Sequence, residues 1–296
     1  MPNLRDIKRR ITSVQKTQQI TSAMRMVAAA KLRRAQESMQ AARPYAQRMR
    51  NTLAEVAGAQ VDAVHPLLAR HDSVKCLELV VVTSDRGLAG AFNANVMKCA
   101  ASWLAERTSS EAPESVVVTT VGLKATEHYA RHQTGEPGES YEIPGWVDYD
   151  LAAQIARRLC HRYQEGEVDE VVLVYSEFVS TLTQTPIVVP LLPLAPPELD
   201  EAASTAGTEP KTAHNFEPSP EKLLGFLAPT AIEVEVFRAL LENQAGEHAA
   251  RMTAMENATR NTEELIDKLK LDFNRARQAA ITKELIEIVT GAQALE

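Results

Sequence analysis

The sequence predicts an α/β protein with a long coiled coil, in which the N- and C-terminal helices pair antiparallel and a central, mostly parallel α/β domain lies between them in the chain. Three observations carry this. The stretch from Glu221 to about Gln293 reads as one helix, with no proline after Pro229 and Gly246 the only glycine between Pro229 and Gly291. The first stretch, Leu4 to Val56, keeps a heptad seam of its own. Between them, strand-length apolar runs alternate with helical segments, which implies a sheet buried on both faces.

In the first helix the seam runs Leu4, Ile7, Ile11, Val14, Gln18, Thr21, Arg25, Ala28, Leu32, Ala35, Met39, Ala42, Ala46, Met49, Leu53 and Val56. Apolar or small residues at this 3-4 spacing make a helix wind around a partner. The register holds across Pro44, where a proline costs about 3 kcal/mol in an ideal helix and a local kink is expected. In the last helix the seam runs Leu241, Ala245, His248, Met252, Met255, Thr259, Thr262, Ile266, Leu269, Phe273, Ala276 and Ala280. At 1.5 Å per residue that helix would be roughly 110 Å long, far beyond what packing in a globular domain needs. Two seamed helices at the two ends suggest a hairpin, with the chain divided as 1–58, 59–220 and 221–296. If Gly58 and Glu221 mark the closed end, the numbers of facing residues add to about 279, which sets Gln18 opposite Thr259 and Thr262, Met24 opposite Met252–Met255, and Arg25 near Glu256.

In the middle, Cys76–Thr83 (CLELVVVT) reads as a strand, then the turn SDRGLAG and a helix over Ala91 to about Arg107. Ser115–Val121 is a second strand and Leu123–His132 a second helix; Gln133–Gly145 reads as a loop. Asp148–Glu165 is a third helix with Asp148 a candidate cap, and Glu170–Phe178 a third strand. Ile187–Leu192 is expected at a sheet edge, because Pro186, Pro190 and Pro193 cannot sit in a central strand. Ala195–Pro220 is rich in Pro, Glu, Ser and Thr and is expected to be a mobile loop. The middle is therefore a Rossmann-like α/β domain.

Charge is unevenly placed. Residues 1–58 hold 12 Lys/Arg against 3 Asp/Glu, whereas the whole chain is at −7. A basic helix suits nucleic acid, an anionic surface or an acidic protein partner, but the aromatic platforms and DNA-binding motifs of a nucleic-acid partner are missing, so none is expected. The Arg-rich start also resembles an organellar transit peptide, yet its heptad register continues for forty residues, so it is read as mature structure. Cys76, Cys99 and Cys160 are widely spaced and read as reduced, buried thiols. The longest apolar run, Ile187–Pro197, holds four prolines and is too short to span a bilayer, so membrane association would go through partners.

Candidate chemistry is sparse. VVVTSDRGLAGAFN has the strand–turn–helix form of a phosphate loop but neither G-x-G-x-x-G nor G-x-x-x-x-G-K-[ST]; Gly87 and Gly90 are read as permitting a tight turn. His128 and His132 lie four apart in EHYARH, but the glutamate of a zinc-protease H-E-x-x-H is outside the pair, and they read as solvated. Serine and cysteine nucleophile signatures are absent. No cofactor, metal or catalytic residue is expected.

The end segments LRDIKRRITSVQKTQQITSAMRMVAAAKLRRAQ and ARMTAMENATRNTEELIDKLKLDFNRARQAAITKELIEIVTGAQAL, with TSDRGLAGAFN in the middle, resemble the gamma subunits of F-type ATP synthases; Ala89 stands where that family commonly has cysteine. The resemblance covers essentially the whole chain. It implies a central rotor stalk that carries torque between a membrane ring of c subunits and a hexamer of alpha and beta subunits, with epsilon beside it. Proton flow then drives ATP synthesis at sites on the other subunits, or hydrolysis there drives pumping. By motif it implies beta-subunit contacts at Met24, Arg251, Gln278 and Thr282, and a c-ring contact at Glu217. Ile281, Leu285, Ile288 and Val289 form an apolar surface expected to be a bearing tip. The implied location is the cytoplasmic face of a bacterial plasma membrane, or the equivalent face of an organelle membrane. Chloroplast relatives carry a cysteine pair near Ala195–Pro220; none is here, so thiol regulation is not expected. The alternatives are a coiled-coil scaffold pairing helices between two chains, and a nucleotide-dependent enzyme using the α/β domain.

Overall fold

The computed structural model describes residues 4–58, 65–69, 71, 73–110, 112–132, 134–143, 145–194 and 219–293. In chain order the elements are α1 (Leu4–Gly58), a 3-10 turn (Pro66–Leu68), β1 (Cys76–Val82), α2 (Phe92–Ser110), β2 (Ser115–Val121), α3 (Leu123–His132), β3 (Glu136–Tyr141), α4 (Tyr149–Gln164), β4 (Glu170–Phe178), β5 (Gln184–Leu192) and α5 (Pro220–Gln293). Both terminal helices take the extent their seams require: α1 has 55 residues and passes through Pro44, and α5 has 74 and passes through Pro229. The chain forms two compact units, one of residues 1–30 with 251–296 and one of residues 31–250.

In the 31–250 unit the strands are ordered β3-β2-β1-β4-β5. β1 lies parallel to β2 and β4, and β2 parallel to β3, while β5 runs antiparallel along β4. Side chains alternate between two cores, as the pleat requires. Leu77, Leu79, Val81, Val172 and Val174 face a core closed by Val96 and Ala100 of α2 and Ala125 of α3. Val80, Val82, Val171, Leu173 and Tyr175 face the larger core, closed by α4, by Leu53 and Val56 of α1, and by Leu224–Leu240 of α5. The strands are apolar on both sides because both sides are covered.

β5 is the edge strand that its prolines demanded. β3 corrects the sequence reading, in which Gln133–Gly145 is a loop. Glu136–Tyr141 (EPGESY) pairs with β2 at the other sheet edge, where Pro137 costs no inner hydrogen bond and polar side chains stay exposed. Asp148 caps α4, accepting from the Leu151 amide at 3.0 Å. The cysteines need a second correction: all are free, but only Cys160 is buried, and Cys76 and Cys99 are half-buried. Burial, with the Glu233 charge nearby, pushes the Cys160 thiol up to about 12 and keeps it unreactive at neutral pH. The loop over 195–220 lies outside the described residues except for Ser219 and Pro220.

Gly246, mid-helix in α5, has a packing reason: a Cβ there would meet Phe92 Cε2 at 3.0 Å, so the bare backbone lets α2 seat its first residue. Buried charge is fully engaged at Glu78, which is 2% exposed. It accepts from Thr119 Oγ1 and from the Arg162 guanidinium, each at 2.6 Å, and Arg162 also reaches Glu167 at 2.9 Å.

Asp169 ties the segment before β1 to the start of β4. Its Oδ2 accepts from the Lys75 and Cys76 amides at 2.8 Å each, and its Oδ1 lies 2.6 Å from His71 Nδ1. Burial would raise its carboxyl, but the Cys76 amide, His71 and the Lys75 amide outweigh burial and hold it below the ordinary aspartate value. A depressed carboxyl stabilises the fold above its unfolded value, and that contribution is lost as pH falls through the folded value. Asp169→Asn should therefore cost about 1–3 kcal/mol at pH 7 by urea unfolding, with the gap from wild type closing below pH 3.8. An equal gap at pH 7 and pH 3 would assign the effect to shape rather than charge.

Candidate functional site

The unit of residues 1–30 and 251–296 is built from the two chain ends. All seam residues of α1 in this unit are buried or half-buried, with Ile7, Thr21 and Ala28 the most enclosed. On α5, Met255, Ile266 and Leu269 are buried, and Met252, Thr259, Thr262, Phe273, Ala276 and Ala280 half-buried. The direction and register are read from two contacts. The Thr21 and Thr259 hydroxyls lie 2.9 Å apart, one donating to the other. Each also lies within reach of a carbonyl on its own helix, Gln18 O at 3.0 Å and Met255 O at 2.8 Å. One turn along, Arg25 Nη1 stands 4.0 Å from Glu256 Oε1. The helices are therefore antiparallel within one chain, and both pairs fall within two of the expected sum. The Arg25–Glu256 pair is exposed and contributes only about 0–1 kcal/mol; the threonine layer is the part that specifies register.

The singled-out residues fall on this unit in two zones, with one exception. Met24 and Arg251 are half-buried on the paired section. Gln278 and Thr282 are exposed one turn apart, joined by the Thr282 hydroxyl donating to Gln278 O at 2.9 Å. Ile281, Leu285, Ile288 and Val289 are 49–68% exposed, and every residue from 281 to 290 is exposed. Glu217 lies outside the described residues. Sequence reasoning passed over Ile286, 60% exposed on the same tip, and over Ile20, Met26 and Val27 on α1, which are 57–62% exposed. Their signal was available: they are the large apolar residues that the seam leaves over.

The turn after β1 is filled with its own hydrogen bonds. The Ser84 amide, which a phosphate loop would present to an anion, donates to Asn93 Oδ1 at 3.0 Å. Asp85 accepts from the Leu123 amide at 2.8 Å and the Ile143 amide at 3.0 Å, placing a carboxylate at the turn. Thr83 O accepts from Asn243 Nδ2 of α5 at 3.0 Å. Gly90 has φ of 59°, as a tight turn asks of glycine, but the other left-handed position is Leu88, not Gly87. Among the described residues no three His, Cys, Asp or Glu side chains gather as a metal cage, and no helix is long and apolar enough to cross a membrane.

These features define a class: a stalk protein that closes its two ends on each other as an antiparallel coiled coil, leaves the end of the longer helix apolar and bare, and folds a five-stranded α/β sheet from the chain between. Residues 3–295 match the family model described as ATP synthase. The ATP synthase gamma chain of Desulforamulus reducens is 47% identical over 296 residues, covering 100% of both chains. That of Heliobacterium modesticaldum is 45% identical over 297 residues, again covering 100% of both. Among solved structures, the central stalk and c-ring of the Tetrahymena thermophila mitochondrial ATP synthase matches with a TM-score of 0.58 at 25% identity, covering 81% of this chain and 99% of that one. The rotor of the Euglena gracilis mitochondrial ATP synthase shares the fold, with a TM-score of 0.64 at 18% identity over 94% of this chain and 98% of that one. The chain belongs to the ATP synthase gamma chain family, and its function is that of a central-stalk subunit of this rotary complex on an energy-transducing membrane. These relatives support the stalk reading and not the alternative of a coiled-coil scaffold without a rotary partner.

Cysteines replacing Thr21 and Thr259, in a background lacking the three native thiols, should oxidise to an intramolecular bridge at monomer mass. A bridge found only in dimers would overturn the hairpin.

Proposed function

We propose that this chain is the torque-carrying rotor of a proton-translocating ATP synthase, turning between the c-ring and the hexamer of alpha and beta subunits, with epsilon as a further partner. The helical segments 1–58 and 221–296 would act as the shaft, and 59–220 would dock on the ring. The observation that carries the reading is the bare tip of α5: ten consecutive exposed residues, including five large aliphatic ones, which a helix free in water has no reason to display. A collar of alpha and beta subunits would cover them, and a smooth apolar bearing lets a shaft turn because it has no hydrogen bonds to break at each step.

In the same reading Met24, Arg251, Gln278 and Thr282 contact beta, and Glu217 contacts the ring. Lys8, Arg9, Arg10 and Lys16 are exposed on α1 and suit an acidic facing surface. The chain performs no catalysis; its asymmetry biases the states of the beta sites, which requires contacts that differ between those states. It works from the cytoplasmic face of a bacterial plasma membrane, or the equivalent face of an energy-transducing organelle membrane.

ATP turnover of mixed alpha and beta subunits, with and without this chain, tests the reading: addition should raise turnover, while the purified chain alone hydrolyses none. Turnover by the chain alone would favour an enzyme of the α/β domain. Removing Ile288–Glu296 should loosen rotor retention or lower torque, and wild-type rotation after truncation would remove the collar. Changing Glu217 should lower the ratio of pumping to hydrolysis; an unaltered ratio would take that residue off the ring contact.

A further inference from the structure

In the 31–250 unit, α1, the start of α4 and α5 border a cavity of about 400 Å³, a size that suits a small organic molecule. Its apolar wall is Met39 and Ala46 of α1 with Val234, Phe237 and Leu241 of α5. Two of its rings are held in place. The Tyr149 hydroxyl donates to Glu233 Oε2 at 2.7 Å, and the Tyr149 ring meets Phe237 edge-on with centroids 5.5 Å apart. Tyr45 adds a third ring, exposed at the rim.

The polar part of the wall sets the charge of what can enter. Glu242 lines the cavity and is 6% exposed. Its Oε1 accepts from Arg238 Nη1 at 2.9 Å, whereas its Oε2 is buried and has no hydrogen-bond partner among the described residues. Tyr175 of β4 is near, but its hydroxyl makes no hydrogen bond to that oxygen. A buried carboxylate oxygen left unmatched costs free energy that a bound donor would recover. Arg238 has little more to offer: its Nε donates to Glu235 Oε1 at 3.2 Å, and its Nη2 pairs with the same carboxylate. One guanidinium thus serves two carboxylates, and the cluster is net negative. Arg43 is the other cation of the lining, exposed where water screens it. Burial pushes the Glu242 carboxyl up despite Arg238, and a cation at Oε2 would draw it back down. An anion would instead have to enter beside a buried carboxylate.

We propose that this cavity binds an organic ammonium with an apolar body, an aryl-alkyl amine, whose N–H donates to Glu242 Oε2 while its hydrocarbon part lies against Phe237 and Leu241. The rings favour the same charge, since the face of an aromatic ring attracts a cation. Bound there, the ligand touches α1, α4 and α5 together.

The test is calorimetric titration of the full chain with phenylbutylamine, and with phenylbutyrate as an anion of similar shape. The amine should bind, and the acid should be weaker by at least about 10-fold, the worth of one charge-assisted hydrogen bond. Glu242→Gln keeps an oxygen for Arg238 but removes the charge. It should weaken the amine about 10-fold and erase its advantage over the acid. Ala42→Phe fills the mouth from a half-buried position and should abolish binding of the amine, with circular dichroism unchanged. Four results would overturn the site: no binding of the amine at millimolar concentration, an acid as tight as the amine, unchanged amine affinity in Glu242→Gln, or wild-type binding in Ala42→Phe.

Discussion

Pairing the two ends of one chain over a long seam leaves a register problem, because a heptad pattern is nearly the same after a shift of seven. The contact between Thr21 and Thr259 resolves it. Sliding either helix by one heptad would set Thr21 against Met252 or Ile266, or Thr259 against Val14 or Ala28, and would strip both hydroxyls of their partner across the seam. A polar layer of this kind weakens the core locally and selects one alignment from several. That alignment decides which residues of α5 run past the start of α1, and so the length of bare helix at the tip.

The sheet unit solves a different problem. Its strands are apolar on both faces, so each face needs helices, and the chain takes part of its cover from its own ends: Leu53 and Val56 of α1, with Leu224–Leu240 of α5, close the larger core. The same two helices thus have two kinds of surface along their length. In the 31–250 unit they are parts of a globular core, and in the other unit they have only each other. Gly246 and Asn243 mark the core-like section, where a side chain is removed to admit Phe92 and an amide is spent on the carbonyl of Thr83. Exposed Ile20, Met26 and Val27 mark the paired section, where two helices cannot enclose every apolar residue.

Much of this was legible without coordinates, where one periodicity ran long enough to leave no competing reading. The seams of α1 and α5, the strands Ser115–Val121 and Glu170–Phe178, and the proline-marked edge strand all appear where their patterns place them. β3 was not legible, because EPGESY has a loop's composition and becomes a strand only because β2 offers it an open edge. The left-handed Leu88 was not legible either, since the turn's two glycines drew the expectation away from it. Of the candidate contact residues, the tip was readable as apolar positions off the seam, and Ile286 carried the same signal.

The sequence by itself determined the architecture: two long helices, their antiparallel register, and a mostly parallel sheet between them in the chain. It did so because periodicity and spacing are local properties that survive without coordinates. The tertiary structure alone decided which polar groups meet: Asp85 with the amides of Leu123 and Ile143, Asp169 with His71, and Arg162 with buried Glu78. Such contacts need angstrom-level placement of residues far apart in the chain, and no pattern of residue types encodes that.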